Sequence, residues 1–226
     1  MEVEKVNISV VVLARDHNPT ILHPSFLSSQ GIVPTDWELA EPPLCTLPMS
    51  VVKYKNGIEF TVQSNRLQVL QSPPPLQLHD SVVPQLVEKY IEKLPHVRYT
   101  AVGINMAIVL VHPEPEKFLI ERFLAFEHCN FDDLRLKAVG LRFTYPVDKA
   151  ILNLSCDPGK VELRKSADQI LGVIVNANYH HELVGHDAVE EVKEAISTFG
   201  DRCAHFEDIV ITKVFGIEGK NEHHLS

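Results

Sequence analysis

Apolar and polar positions alternate along this chain in two rhythms, one with the period of a strand and one with that of a helix. Val6 to Leu13 is an apolar, β-branched run that reads as a strand buried on at least one face. A proline-rich connection of about 35 residues follows, longer than most loops. Within it, Pro24 suits a first helical position and Gly31 a C′ position, which predicts one short helix docking Phe26 and Leu27, with Trp37 just beyond. Ser50 to Lys55 and Ile58 to Gln63 flank Asn56-Gly57, the signature of a type I′ hairpin. A second turn at Ser64-Asn65 returns Leu67 to Leu70 as a third strand, and Ser72-Pro73-Pro74-Pro75 stops the sheet because proline cannot donate to a ladder.

Helical spacing appears next. Asp80 is a candidate cap for a helix over Ser81 to Leu94, with Val83, Leu86, Val87, Tyr90, Ile91 and Leu94 on one face. Arg98 to Val111 reads as a long strand containing Gly103, and Pro115 to Phe126 as a second helix. Leu134 to Thr144 reads as a strand. Ala150 to Cys156 and Lys160 to Lys165 are expected to form a hairpin across Asp157-Pro158-Gly159. Gln169 to Asn178 reads as another strand.

The strongest helical signal is the last one. Val189, Val192, Ile196, Phe199, Cys203, Phe206 and Val210 recur at steps of three and four, which places them on one stripe. Asp187 with Glu190 makes a capping box, and Gly216 suits the C′ position. Unbroken, this helix would span about 28 residues, or about 42 Å, with Gly200 as its weak point.

Strand runs followed by helices predict an α+β fold of antiparallel meander sheets, each covered by a long helix. The echo of His79-Asp80-Ser81-Val82 in His186-Asp187-Ala188-Val189 suggests a duplicated strands-then-helix unit. The corresponding halves would be residues 1–130 and 131–226, as two units or as one compact domain.

Charge changes the functional picture. The 226 residues carry 21 Lys+Arg against 30 Asp+Glu, a formal net charge of −9, and no basic run exceeds two residues. Nucleic acid and anionic membrane are therefore disfavoured as partners, since both need clustered cations. Cys45, Cys129, Cys156 and Cys203 lie too far apart for a zinc knuckle or redox pair. The acidic N-terminus lacks a signal-peptide pattern, and the longest apolar stretch, Ala101 to Val111, falls short of a bilayer span. These features predict a reduced, cytoplasmic protein.

Candidate chemistry is sparse. No nucleophile elbow, phosphate loop or dinucleotide fingerprint is present. Arg15-Asp16, with Arg98 or Arg142 within strands, are candidate internal ion-pair partners. The densest polar constellation is His180, His181, Glu182 and His186, read as a strand-to-helix junction. Imidazoles with a carboxylate can hold a metal. However, His181 and His186 are five apart, and on a helix they would point about 140° away from each other. Neither a metal nor a cofactor is expected.

Three functions follow. The first is a non-catalytic interaction or assembly protein that self-associates or joins a larger complex. The second is a small-molecule-binding module with a pocket between sheet and helix, closed by the Phe26 to Trp37 segment. The third is a metal-assisted hydrolase using His180, His181 and His186.

Overall fold

The computed structural model describes residues 1–124, 136–162, 169–185 and 187–216. The alternating segments form strands β1 (Val3–Ala14), β2 (Leu44–Cys45), β3 (Met49–Lys53), β4 (Ile58–Gln63), β5 (Arg66–Gln71), β6 (Tyr99–Val111), β7 (Leu141–Val147), β8 (Ala150–Glu162) and β9 (Gln169–Glu182). The described residues also form five α-helices: α1 (Pro24–Ser29), α2 (Val83–Glu92), α3 (Pro115–Phe123), α4 (Ala188–Ser197) and α5 (Phe199–His205). A π-helical turn, Phe206–Val214, extends α5.

The strands join in one sheet ordered β2-β3-β4-β5-β1-β6-β9-β8-β7. Every neighbouring pair is antiparallel. This is the α+β, antiparallel architecture that the sequence predicts, although strands from both halves of the chain share a single sheet through the β6–β9 pairing. The reason lies in the period-two pattern. Ile8, Val10 and Val12 of β1, Ile104 and Met106 of β6, and Val175, Ala177 and Tyr179 of β9 all point to one face. There they meet Leu27, Val87, Leu119, Ile196 and Phe206 from the helices in one continuous core. Burying each such side chain contributes about 1.5–3 kcal/mol. The opposite face carries no helix among the described residues, and its central rows across β1, β6, β9, β8 and β7 are mostly polar.

Most predicted elements form, with instructive differences. The Asn56-Gly57 hairpin exists, but among the described non-glycine residues only Asp148 has positive φ. Asn56 is therefore outside the left-handed region, and the turn is not type I′. Instead Gly57 N–H donates to Tyr54 O at 3.1 Å and Tyr54 N–H to Ile58 O at 2.8 Å, with Gly57 at φ 87°. That is a longer loop closed by a left-handed glycine. Any Cβ at Gly57 would lie 2.5 Å from Ser72 O, so close chain approach as well as φ demands glycine.

Asp80 does not cap α2. It ends a 3-10 turn, Leu78–Asp80, and the Ser81 hydroxyl takes the bond from Val83 N–H instead, at 3.3 Å. Pro84 in the first turn fixes where the helix begins. The hairpin expected at Asp157-Pro158-Gly159 is absent, for β8 runs straight through it. Pro158 pairs with Val173, and the pairing with β7 stops at Cys156, so among the described residues no strand faces Pro158 on that side and no donor is needed. The strand expected over 134–144 starts at Leu141 instead, with 136–140 irregular and 134–135 outside the described residues. Phe126, assigned to the end of α3, also lies outside them.

The long C-terminal helix forms in three pieces rather than one. The Thr198 and Ser197 hydroxyls donate to Ala195 O and Glu194 O, both at 2.7 Å, competing with the backbone ladder where α4 ends. The break thus precedes Gly200. Its predicted stripe survives, since Val192, Ile196, Phe199, Cys203, Phe206 and Val210 are all buried. Asp187 caps α4 through Glu190 N–H at 3.2 Å, and Gly216 closes the run at φ 62°.

Candidate functional site

The predicted polar constellation lies within β9, which extends through Tyr179, His180, His181 and Glu182 rather than ending at Asn178. His180 pairs with Gly103 and Ile151, and His181 with Val102. Strand alternation sends the two imidazoles to opposite faces. His186 lies outside the described residues, among which no three metal-ligating side chains cluster.

His181 faces the helices and is only 4% exposed. Its neighbour across the core is Arg202 of α5, at 3%. The Arg202 guanidinium sits 5.7 Å from the Tyr179 ring centre and bonds Asp148 Oδ2 through Nη1 at 2.9 Å. Asp148, in the β7–β8 turn with φ 52°, is largely exposed. The Tyr179 hydroxyl bonds His205 Nδ1 at 2.8 Å. His205 thus points at the sheet.

Burial, with the positive charges of Arg202 and His180 adding to it, pushes the His181 pKa down to about 4. The ring is neutral at pH 7. Two buried polar atoms lack a partner here, His181 Nε2 and Arg202 Nε. Orphaned buried polar atoms are rare in folded proteins and call for an explanation.

Both residues line a cleft of about 780 Å³ between the end of β9, the β7–β8 turn and the α4–α5 junction. Ile151, Leu183, Val184 and Ala195 supply apolar wall. Lys149 pairs with Glu194 at 2.6 Å, and Glu191 Oε2 accepts from Val184 N–H and Gly185 N–H at 2.8 and 2.9 Å. Glu182 stands at the rim. A volume of this size falls within the range of about 300–1,000 Å³ usual for small-ligand sites.

Beneath the Phe26 to Trp37 segment the space is filled. Leu22, Leu27, Ile32 and Val33 are buried, Phe26 packs edge-on to Tyr90 at 5.9 Å, and Trp37 to Tyr54 at 5.3 Å. The sheet–helix cleft therefore lies at another place than the one the sequence pointed to.

A second polar feature was missed by sequence reasoning. Across the uncovered face, one row joins Ser9, Asn105, Asn178, Asn153 and Thr144 from five adjacent strands. The adjacent row joins Asn7, Ala107, Asn176, Ser155 and Arg142. Apart from the buried Ser9, these residues line a groove of about 530 Å³. Asn178 Nδ2 donates to Asn105 Oδ1 at 2.7 Å, over Gly103, where any Cβ would lie 2.7 Å from that amide nitrogen. Asparagine is depleted in strands, so five on one face are unusual. The available signal was the common parity of these asparagines in their strands.

Arg98 pairs with Asp16, and Arg142 with Asp157 at 3.0 Å, but both pairs lie at the surface rather than in the interior that the sequence suggested. Cys156 and Cys203 are buried, and burial drives both thiols up to about 12, so they serve packing. No described helix is long and apolar enough to cross a membrane. No protein-family model and no curated protein matches this chain.

Proposed function

We propose that this chain is a non-catalytic binding protein that holds a small ligand in the cleft between β9, the β7–β8 turn and the α4–α5 junction. The carrying observation is that two residues lining a roomy cleft, His181 and Arg202, each keep a buried polar atom without a partner among the described residues. A bound ligand offering hydrogen-bond partners would satisfy them. Among the described residues of the cleft, no nucleophile is coupled to a base. Its hydroxyls on Ser197 and Thr198 are spent on backbone carbonyls.

The test is a charge-diverse fragment library followed by amide NMR shifts. Hits are expected to move Leu183, Val184, Thr198 and Arg202 together. Hits that scatter over the surface, or a library without hits, would count against the cleft.

A second reading, self-association, is favoured by the uncovered amide face. Each side-chain amide both donates and accepts, so such a row is complementary to its own two-fold copy.

A further inference from the structure

Arg202 Nε is an orphaned donor that calls for an acceptor, and the neutral His181 ring adds a second donor there in its Nε2–H tautomer, yet the cleft as a whole is not basic. Its lining carries five carboxylates, Asp148, Glu182, Glu191, Glu194 and Asp201, against two permanent cations, Lys149 and Arg202. Several of these are committed. Glu194 holds Lys149, Glu191 caps the backbone of Val184 and Gly185, and Asp148 reaches Arg202 from an exposed turn. Among the described residues, Glu182 and Asp201 have no ion-pair partner.

A simple anion would satisfy the floor and meet repulsion from this acidic rim. A simple cation would suit the rim and leave Arg202 and His181 unsatisfied. A molecule carrying both groups answers both demands.

We propose that the cleft takes a small amphoteric ligand of the amino-acid class, its carboxylate on Arg202 and His181 and its ammonium group toward Glu182 and Asp201. This rests on the reading of the cleft as a ligand site and names what fills it. The Asp148 carboxylate is the ligand's internal stand-in. It bonds the guanidinium through Nη1, whereas Nε lies on the other edge beside Nη2, the edge on which arginine takes a carboxylate at two points. A ligand carboxylate either joins Asp148 on the guanidinium or displaces it, and the exposed turn can release the aspartate at little cost.

The experiment is calorimetric titration of the full chain with glycine, β-alanine, 4-aminobutyrate and 5-aminopentanoate, a series that varies only the separation of the two charges. The matching monoamines and monocarboxylic acids are the controls. At least one amino acid is expected to bind ten-fold more tightly than either of its one-charge controls. Asp148→Asn, which removes the competing carboxylate, is expected to strengthen that binding three-fold or more. Glu182→Gln is expected to weaken the amino acid and leave the monocarboxylate unchanged. These two variants sit at exposed positions, so they keep the test informative should Arg202→Gln fail to fold.

Equal binding of an amino acid and its one-charge controls, or no binding of any series member up to about 10 mM, would overturn the proposal. Fragment hits that still cluster at Leu183 and Thr198 would in that case leave the cleft itself standing as a ligand site, while their absence would remove both.

Discussion

His181 shows how one residue can be legible in kind and hidden in role. Its place in a dense polar segment was visible, but the sequence could not say that β9 continues far enough to turn this imidazole inward. Tyr179, one strand period earlier, is fully buried and has the same parity, and it was the available clue. The consequence is a pH dependence. An unfolded His181 takes a proton near its ordinary value of 6.5, whereas the folded ring resists until about pH 4. Below 6.5 the unfolded state therefore binds more protons, and stability falls as pH falls across that window. Burial also lowers His17, partly offset by its bond to Val12 O, and lowers His205. All three act with the same sign. The exposed carboxylates of Glu38, Glu92 and Glu194, held down by lysine partners, lose their contribution only below about 4.5, outside a comparison of pH 7 with pH 5. The urea midpoint is expected to drop from pH 7 to pH 5, and to drop less in His181→Gln. An equal drop in the variant would mean that the ring is not sealed from protons.

At the scale of elements, repeating patterns were readable and boundaries set by neighbours were not. The alternation of Val10, Val12, Ile104 and Val175 and the stripe from Val192 to Val210 follow from the residues themselves. Pro158 misled because its turn propensity is local, while its freedom to stay extended depends on β7 having ended. The break after α4 was likewise decided by two hydroxyls rather than by Gly200, whose Cβ position is open space. Two strand glycines do matter, and to different degrees. In Gly103→Ala the new methyl meets only the mobile end of Asn178, so the amide swings away from Asn105 and about 1 kcal/mol is lost. In Gly172→Ala it meets the backbone carbonyl of Leu110, which cannot move without parting β6 from β9, and about 3 kcal/mol is expected. Chemical denaturation checks the order. The double variant Gly103→Ala/Asn178→Ala should recover part of the first loss and has no counterpart for the second. Similar losses at both glycines would contradict the close approach of β6 and β9 at Gly172.

For the whole molecule the governing asymmetry is that one face of a nine-stranded sheet carries every helix and the other carries none among the described residues. An open antiparallel face is stable in water when it is polar, and the central rows of this one are. Solubility alone would be served by charged side chains, which strands tolerate at the surface, yet the central row from Ser9 to Thr144 is uncharged throughout. With a net charge of −9 on the chain, an uncharged centre is where two copies could approach with least repulsion. A two-fold axis through Asn105 and Asn178 would set each amide row against its own image, donors opposite acceptors. Light scattering after size exclusion is then expected to give twice the 25.4 kDa chain mass. Asn178→Asp places a carboxylate beside its image at the axis and is expected to return the protein to a monomer, with the cleft around His181 and Arg202 unaffected because it lies on the helical side of the sheet. A monomeric wild type would exclude pairing of two copies, and the amide face would then need a different partner carrying the same mixed donors and acceptors. A dimer that persists in Asn178→Asp would move the interface away from this face and leave its five asparagines without an account.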